Sequence, residues 1–317
     1  MKNIYLNIHK FNNKNLNKAV NILKKNDLVG VPTETVYGLA GNAYSKSSIK
    51  KIFGLKKRPK INPLIIHYLD IKRIVNDVQL NEKFIKLYKT FCPGPITFIL
   101  KKKNSSKIPK LATANLNTIA IRFPDNRILR KILKKINMPL AIPSANISSG
   151  ISPVNAKDVV DEFKEKIKFV INGGPSKIGL ESTVVDLTGK PKILRPGVIS
   201  PKKIGKVLKS KISIFKSFKK IKSPGSIKKH YSPGIPMKLN QKKTLINCAF
   251  IILGKKYKKT KNTFNLSEKS NLNEAAKNLY KVFRKIKKKK YKIIHVVKIP
   301  NKGIGIAIND RLKHASN

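Results

Sequence analysis

From Leu16 to Lys209 the chain alternates helical and strand patterns, which limits it to a layered α/β fold. Leu16, Val20 and Leu23 stand at helical spacing in "LNKAVNILKKND", and Asn26 with Asp27 closes that helix. "LVGVPT" reads as a short buried strand. The following "VPTETVYGLAG" reads as a strand-to-loop step in which Gly38 and Gly41 let the chain bend tightly. Ser45 or Ser47 caps a helix whose Ile49, Ile52 and Phe53 share one face. "NPLIIHYL" is a strand, "NEKFIKLYKTF" a helix capped by Asn81, and "PGPITFILKKK" a turn that becomes a strand. Strand "TIAIRF", amphipathic helix "NRILRKILKKI" and the strand-to-loop run "MPLAIPSAN" come next. Helix "NAKDVVDEFKEK" and strand "KFVINGG" precede a hairpin of "STVVDLT" and "PKILRPG", and "SPKKIGKVLKS" is a last capped helix. Several strand neighbours are close enough in sequence to be antiparallel, so a mixed sheet is expected.

The pattern changes after residue 210. Residues 211–238 hold two Ser-Pro-Gly steps, many Lys and little helical periodicity, and read as a linker. Beyond it, "TLINCAFIILG", "NLNEAAKNLYKVFRKI", "KIIHVVKI" and "GIGIAINDRLKHA" read strand, helix, strand, helix. That order predicts a small Rossmann-like α/β unit with a parallel sheet. The division is residues 1–210, a linker at 211–238, and 239–317.

Charge and cysteine count narrow the chemistry. The net charge is +55 and 70 residues are basic, which favours polyanionic partners. Only eight of the 70 are Arg, while Asn and Ile are also abundant. Lys, Asn and Ile share AT-rich codons, so codon bias competes with nucleic-acid selection as the cause. A scattered Lys surface predicts weak RNA binding without sequence preference. The run Lys285 to Lys290 reads as a solvated helix end. Two cysteines, Cys92 and Cys248, cannot build a disulfide framework or a Cys-based zinc site, and a reducing cytoplasm fits. The five His lack metal-ligand spacing. No apolar run approaches membrane-spanning length, so no membrane association is expected.

Several loops carry side chains suited to a small anionic ligand. In "GLKKRPKINPL", Pro59 and Pro63 stiffen a loop bearing Lys56, Lys57, Arg58 and Lys60. Arg58 offers a bidentate fork to phosphate oxygens, and Lys56 a point charge. Arg122 sits in the apolar strand "TIAIRF", where a charge is costly unless a protein or ligand carboxylate meets it. Ser144 and Asn146 of "PSAN" follow a strand end, where α/β folds place ligands. Glu181 in "GLESTVVD" is a cap or loop brace, and Ser182 can bond a substrate. Arg195 is locked by Pro196 and Gly197, and His230 with Tyr231 lies in the linker. No phosphate-loop or dinucleotide fingerprint, nucleophile elbow or aspartate cluster is present.

Taken in order, "PTETVYGL", Lys56 with Arg58, Pro59 and Asn62 to Leu64, "TIAIR", "PSAN", "ESTVVD" and "LRPG" resemble the L-threonylcarbamoyladenylate synthase family, the YrdC-type domain. They cover residues 28–197, while "SPGSIKKHYSP" and "GIGIAINDRLKHA" resemble its two-domain branch. The resemblance implies a twisted mixed sheet with a concave positive cavity, closed over by the linker. It implies a cytoplasmic nucleotidyltransferase that turns L-threonine, bicarbonate and ATP into threonylcarbamoyl-AMP and pyrophosphate. The product would pass to a separate transferase that makes N6-threonylcarbamoyladenosine in tRNA. Mg²⁺ would arrive on the triphosphate, with no protein metal site.

Carried over position by position, the family implies that Thr35, His67, Arg122, the main chain of Ile142, and Ser182 hold threonine. Lys56, Arg58, Asn62, Thr118, Ser144, Asn146, Ser152, Arg195 and Tyr231 would meet ATP, with Lys56 and Arg58 catalytic. Glu34 would then brace a neighbouring cation and Tyr37 would wall the cavity. The chain departs from the family at Lys228, where an aromatic is usual; Lys229 keeps the following charge. An RNA-binding or ribosome-assembly protein that keeps the fold without the chemistry is the alternative expectation. A carbamoyl-transfer domain of the hydrogenase-maturation kind needs zinc-finger-like modules, which two cysteines cannot supply.

Overall fold

The computed structural model describes residues 3–215, 230–243, 247–289 and 291–316. Lys228 and Lys229, with the rest of 216–229, half of the expected linker, lie outside the described residues.

In chain order the larger body holds β1 (Ile8–Lys10), α1 (Asn13–Lys24), β2 (Val29–Val31), β3 (Gly38–Asn42), α2 (Lys46–Lys56) and β4 (Ile65–His67). There follow α3 (Glu82–Phe91), β5 (Ile96–Lys101), β6 (Thr118–Arg122), α4 (Arg127–Ile136), β7 (Leu140–Ala141) and α5 (Ala156–Phe163). The last elements are β8 (Val170–Asn172), β9 (Thr183–Asp186), β10 (Lys192–Arg195), α6 (Pro201–Leu208) and β11 (Ser213–Ile214). The helices start where the sequence supplies a cap: the side chains of Ser45, Asn81, Asn126, Asn155 and Ser200 each accept from a first-turn backbone N–H.

The strands form one sheet in the order β1-β8-β2-β3-β7-β4-β6-β5-β9-β10-β11. It is mixed: β5 pairs antiparallel with β6 and β9 with β10, while β4 runs parallel to β6 and β5 to β9. Short connections make the first kind of pair and crossovers the second. The neighbouring ends of β4 and β6 place His67 opposite Arg122.

One expectation is corrected. Gly38 and Gly41 do not bend the chain; both lie within β3, and the bend falls earlier, at Glu34–Val36. Their missing side chains serve close packing instead. A Cβ on Gly38 would lie 2.2 Å from Ile142 Cγ2, and one on Gly41 would lie 2.4 Å from Ser48 Oγ. The pattern also concealed short strands at 8–10, 213–214, 237–238 and 263–265, each two or three residues long.

The smaller body holds β12 (Met237–Lys238), β13 (Ala249–Ile252), β14 (Thr263–Asn265), α7 (Leu272–Lys288), β15 (Ile294–Val296) and α8 (Gly305–Ser316). Its sheet, β12-β15-β13-β14, is parallel throughout. Lys285 and Lys287 to Lys289 are exposed at the end of α7. The two bodies share apolar packing: Val36, Ile151, Val154, Leu180 and Tyr231 belong to the same buried cluster as α7 and α8. No helix among the described residues is long and apolar enough to cross a membrane.

Candidate active site

One cavity gathers side chains from segments far apart in sequence. Its floor comes from the sheet: Ile65 and His67 of β4, Arg122 of β6 and Arg195 of β10. The bend after β2 adds Thr35, Val36 and Tyr37, and the loop after β7 adds Ile142 to Ser144. Arg58, Glu181, His230 and Tyr231 complete the wall.

Arg122 is 4% exposed and has found its carboxylate inside the protein. Its Nη2 donates to Glu34 Oε1 at 2.6 Å and to Thr35 Oγ1 at 3.0 Å. Nε of Arg122 and Oε2 of Glu34 are buried without a partner among the described residues. Thr33 orders this bend: its hydroxyl meets Thr35 Oγ1 at 2.9 Å and donates to the Val36 carbonyl. Burial, then the positive Arg122, push His67 well below the usual histidine range, so the ring is neutral. Its Nδ1 lies 3.2 Å from the Ile65 carbonyl, which can only accept, leaving Nε2 as an acceptor. Tyr37 walls this end and donates its hydroxyl proton to the Gly174 carbonyl.

The opposite end holds Arg58 and Arg195. Arg58 is clamped by its own proline-stiffened loop, donating to Asn62 Oδ1 at 2.6 Å, the Asn62 carbonyl at 2.9 Å and the Pro63 carbonyl at 2.7 Å. Burial and then the like charge of Arg195 pull its pKa down. Two cations held this close favour an anion between or beside them. Arg195 donates to the Ser182 carbonyl through Nε and Nη2, and to Ser182 Oγ. Ser182 Oγ also meets Thr97 Oγ1 at 2.8 Å.

The other residues picked from the sequence stand behind this wall. Lys56 is 1% exposed, and its Nζ donates to the carbonyls of Ser144 and Asn146. Burial and then Arg58 lower its pKa strongly. Asn146 Nδ2 closes its loop on the Ile147 and Gly150 carbonyls, while its Oδ1 is buried without a partner among the described residues. Ser152 donates to Glu181 Oε1 at 2.6 Å. Thr118, half-buried at the start of β6, lies outside the cavity lining.

The smaller body reaches the cavity through Glu181, which the sequence reading left as a cap or brace. Tyr280 of α7 donates to both carboxylate oxygens at 3.0 Å, and Arg311 of α8 donates to Oε2 at 2.7 Å. Burial alone would raise Glu181, but Arg311, Arg195 and the Ser152 hydrogen bond hold it at about 2. His230 is held neutral, down at about 3, by burial; the carboxylate of Glu181 opposes that shift and Arg58, Lys56 and Arg195 reinforce it. Sequence reading passed over Tyr280 and Arg311. The one signal was an Asp-Arg pair on the buried stripe of "GIGIAINDRLKHA".

An α/β sheet with cations converging at one cavity, one wall of which is braced from behind by a second α/β body, defines a binder of small anionic substrates. A family model described as "Telomere recombination", which groups Sua5, YciO and YrdC, matches residues 21–197. Another, "Threonylcarbamoyl-AMP synthase, C-terminal domain", matches residues 199–317. Threonylcarbamoyl-AMP synthase of Pyrococcus abyssi is 36% identical, with 94% of this chain and 93% of that protein covered. Its namesake in Bacillus subtilis is 32% identical, covering 96% and 94%. The crystal structure of P. abyssi Sua5 complexed with L-threonine superposes with a TM-score of 0.89 at 32% identity, covering 98% of this chain and 96% of that one. The chain belongs to the threonylcarbamoyl-AMP synthase family.

Proposed function

We propose that this protein is a threonylcarbamoyl-AMP synthase that joins L-threonine, bicarbonate and ATP and releases pyrophosphate. The observation that carries the reading is one cavity with Arg122 beside neutral His67 at one end, and Arg58 with Arg195 at the other. The first end suits an amino acid, the second a polyphosphate.

Threonine lies with its carboxylate toward Arg122, whose guanidinium is already oriented by Glu34. Thr35, His67 and the Ile142 main chain complete its site, while Ser182, bonded to both Thr97 and Arg195, stands between the two ends. ATP meets Arg58, Ser144, Arg195 and Tyr231 directly, while Asn62, Asn146 and Ser152 act from behind the wall by holding it in shape, and Thr118 lies outside the lining. Lys56 reaches a phosphate only by giving up its carbonyls; in place, it holds the Ser144–Asn146 loop against the nucleotide side.

The neutral amine of threonine attacks bicarbonate, and loss of water leaves a carbamate. A carbamate oxygen then attacks the α-phosphorus, and the bond to pyrophosphate breaks. Both reactants are anionic, so positioned guanidinium groups offset their repulsion and stabilise charge growing on the leaving group. Among the described residues no three His, Cys, Asp or Glu side chains gather as metal ligands. Mg²⁺ would come with ATP and offset part of the triphosphate charge. The adenylate is labile cargo, consumed by a transferase acting on tRNA, and the scattered lysines add only weak, salt-sensitive RNA affinity.

The test is pyrophosphate release from ATP by purified protein. Release should require both threonine and bicarbonate. Absence of release where an authentic synthase gives it sinks the reading and promotes the RNA-binding alternative.

A further inference from the structure

Arg311 lies on the last helix, 130 residues from Glu181 in sequence, yet none of its side chain is exposed. Nε is bound by Glu181 and Nη1 by Asp310 Oδ2 at 2.5 Å, while Nη2 has no partner among the described residues. Its guanidinium carbon stands 5.0 Å from the centroid of the Tyr231 ring, within cation–π range. Glu181 and Tyr231 both line the cavity.

Tyr231 needs such support. Its φ is +63°, a left-handed conformation that costs a non-glycine residue free energy. Its hydroxyl is buried without a partner among the described residues. Neighbouring backbone bonds tie the same segment down on two sides: His230 N–H donates to the His314 carbonyl of α8, and Ser232 N–H donates to the Ser149 carbonyl. The ring stacks on Tyr280 at 6.0 Å.

On the footing that the chain is a threonylcarbamoyl-AMP synthase, we infer that Arg311 is a positioning residue for the ATP end of the site. It acts in two ways that point the same direction. It neutralises Glu181, whose other hydrogen-bond donors, Ser152 and Tyr280, carry no charge to offset the carboxylate facing a polyphosphate beside Arg195. It also fixes the Tyr231 ring, so ATP does not have to order that wall on binding. The polar partners of Arg311 among the described residues, Glu181 and Asp310, include none of Thr35, His67 and Arg122 of the threonine end. The smaller body thus completes the nucleotide half of the cavity rather than standing apart as an accessory.

The experiment is steady-state kinetics of Arg311→Met and Arg311→Lys, with hydrogen exchange at residues 230–232. Arg311→Met should raise the KM for ATP about tenfold or more, the scale of one charge-assisted contact, with the KM for threonine nearly unchanged. Exchange of the His230 and Ser232 amides should quicken. Arg311→Lys keeps the charge but not the planar stack, and its KM for ATP should fall between those of the wild type and Arg311→Met. Equal rises in both KM values, an unmoved KM for ATP, or a loss of kcat alone would mean a structural role only and overturn the inference. If Arg311→Met does not fold, Arg311→Lys decides by the same split between the two KM values. If the wild type forms no pyrophosphate, the synthase reading falls, and exchange at 230–232 alone decides whether Arg311 fixes the wall.

Discussion

Arg122 shows how one buried charge ties a site together. With 15 acidic residues against 70 basic ones, a buried carboxylate partner is scarce in this chain, yet Glu34 is 2.6 Å away. The sequence set the problem, a cation in an apolar strand, and named Glu34 as a brace for some neighbour. It could not choose between protein and ligand, because the pairing spans 88 residues and depends on the sheet register. Replacing Arg122 by Met strands the Glu34 charge and should cost about 3 kcal/mol of unfolding free energy in urea. Adding Glu34→Gln should recover much of that, whereas additive losses would mean the two do not act as a pair. His230 gives a second test at this scale. Its folded pKa of about 3 lies below the ordinary value of 6.5, so the unfolded chain binds its proton first as acid is added. This contribution is complete above about pH 6.5 and is lost as pH falls toward 3. The wild-type melting temperature should drop more steeply across that window than that of His230→Gln; parallel curves would show that His230 does not titrate this way.

Among the elements, helices were the most legible and the shortest strands the least. Capped, amphipathic segments such as α3, α4 and α7 carry their own start signals and a complete apolar stripe. The strands that escaped, β1, β11, β12 and β14, are defined by partners elsewhere in the chain, whereas β2, β4, β7, β8 and β15, equally short, sit in apolar runs that gave them away. The glycines of β3 illustrate the difference. Read locally, Gly38 and Gly41 signal a turn; in the sheet they are places where a neighbouring side chain occupies the room of a Cβ. Gly38→Ala forces Ile142 aside and should destabilise the protein by about 1–3 kcal/mol. Because Ile142 walls the threonine end, the KM for threonine should rise with it, measured beside the urea curve. Wild-type values in both would mean that β3 tolerates the added methyl and that close approach is not its reason for glycine.

For the molecule as a whole, the mixed sheet and the second α/β body could be read from order and spacing, and Arg58, Arg122, Ser144 and Arg195 from their own loops and strands, whereas Thr35, His67 and Ile142 came only with the family resemblance. The role of the second body could not. Its link to the cavity runs through Tyr280 and Arg311, which meet Glu181 only after both bodies have folded. Arg284 adds a further tie, donating to Glu162 Oε1 at 3.1 Å and to the Ile151 carbonyl at 2.7 Å. The net charge of +55 is spread over both bodies, and the groups that shape the site are not the abundant lysines but the few arginines. Guanidinium forks can share one cation among a carboxylate, a carbonyl and a substrate, which an ammonium does less well. The central claim is that these arginines bring an amino-acid carbamate and ATP together in one cavity. The most direct measurement follows carbon from labelled bicarbonate with the purified protein, threonine and ATP. The label should appear in a nucleotide whose mass is that of threonine, carbon dioxide and AMP together less one water, and should vanish when threonine is omitted. AMP and pyrophosphate formed without that labelled species, or formed equally well without threonine, would contradict the account.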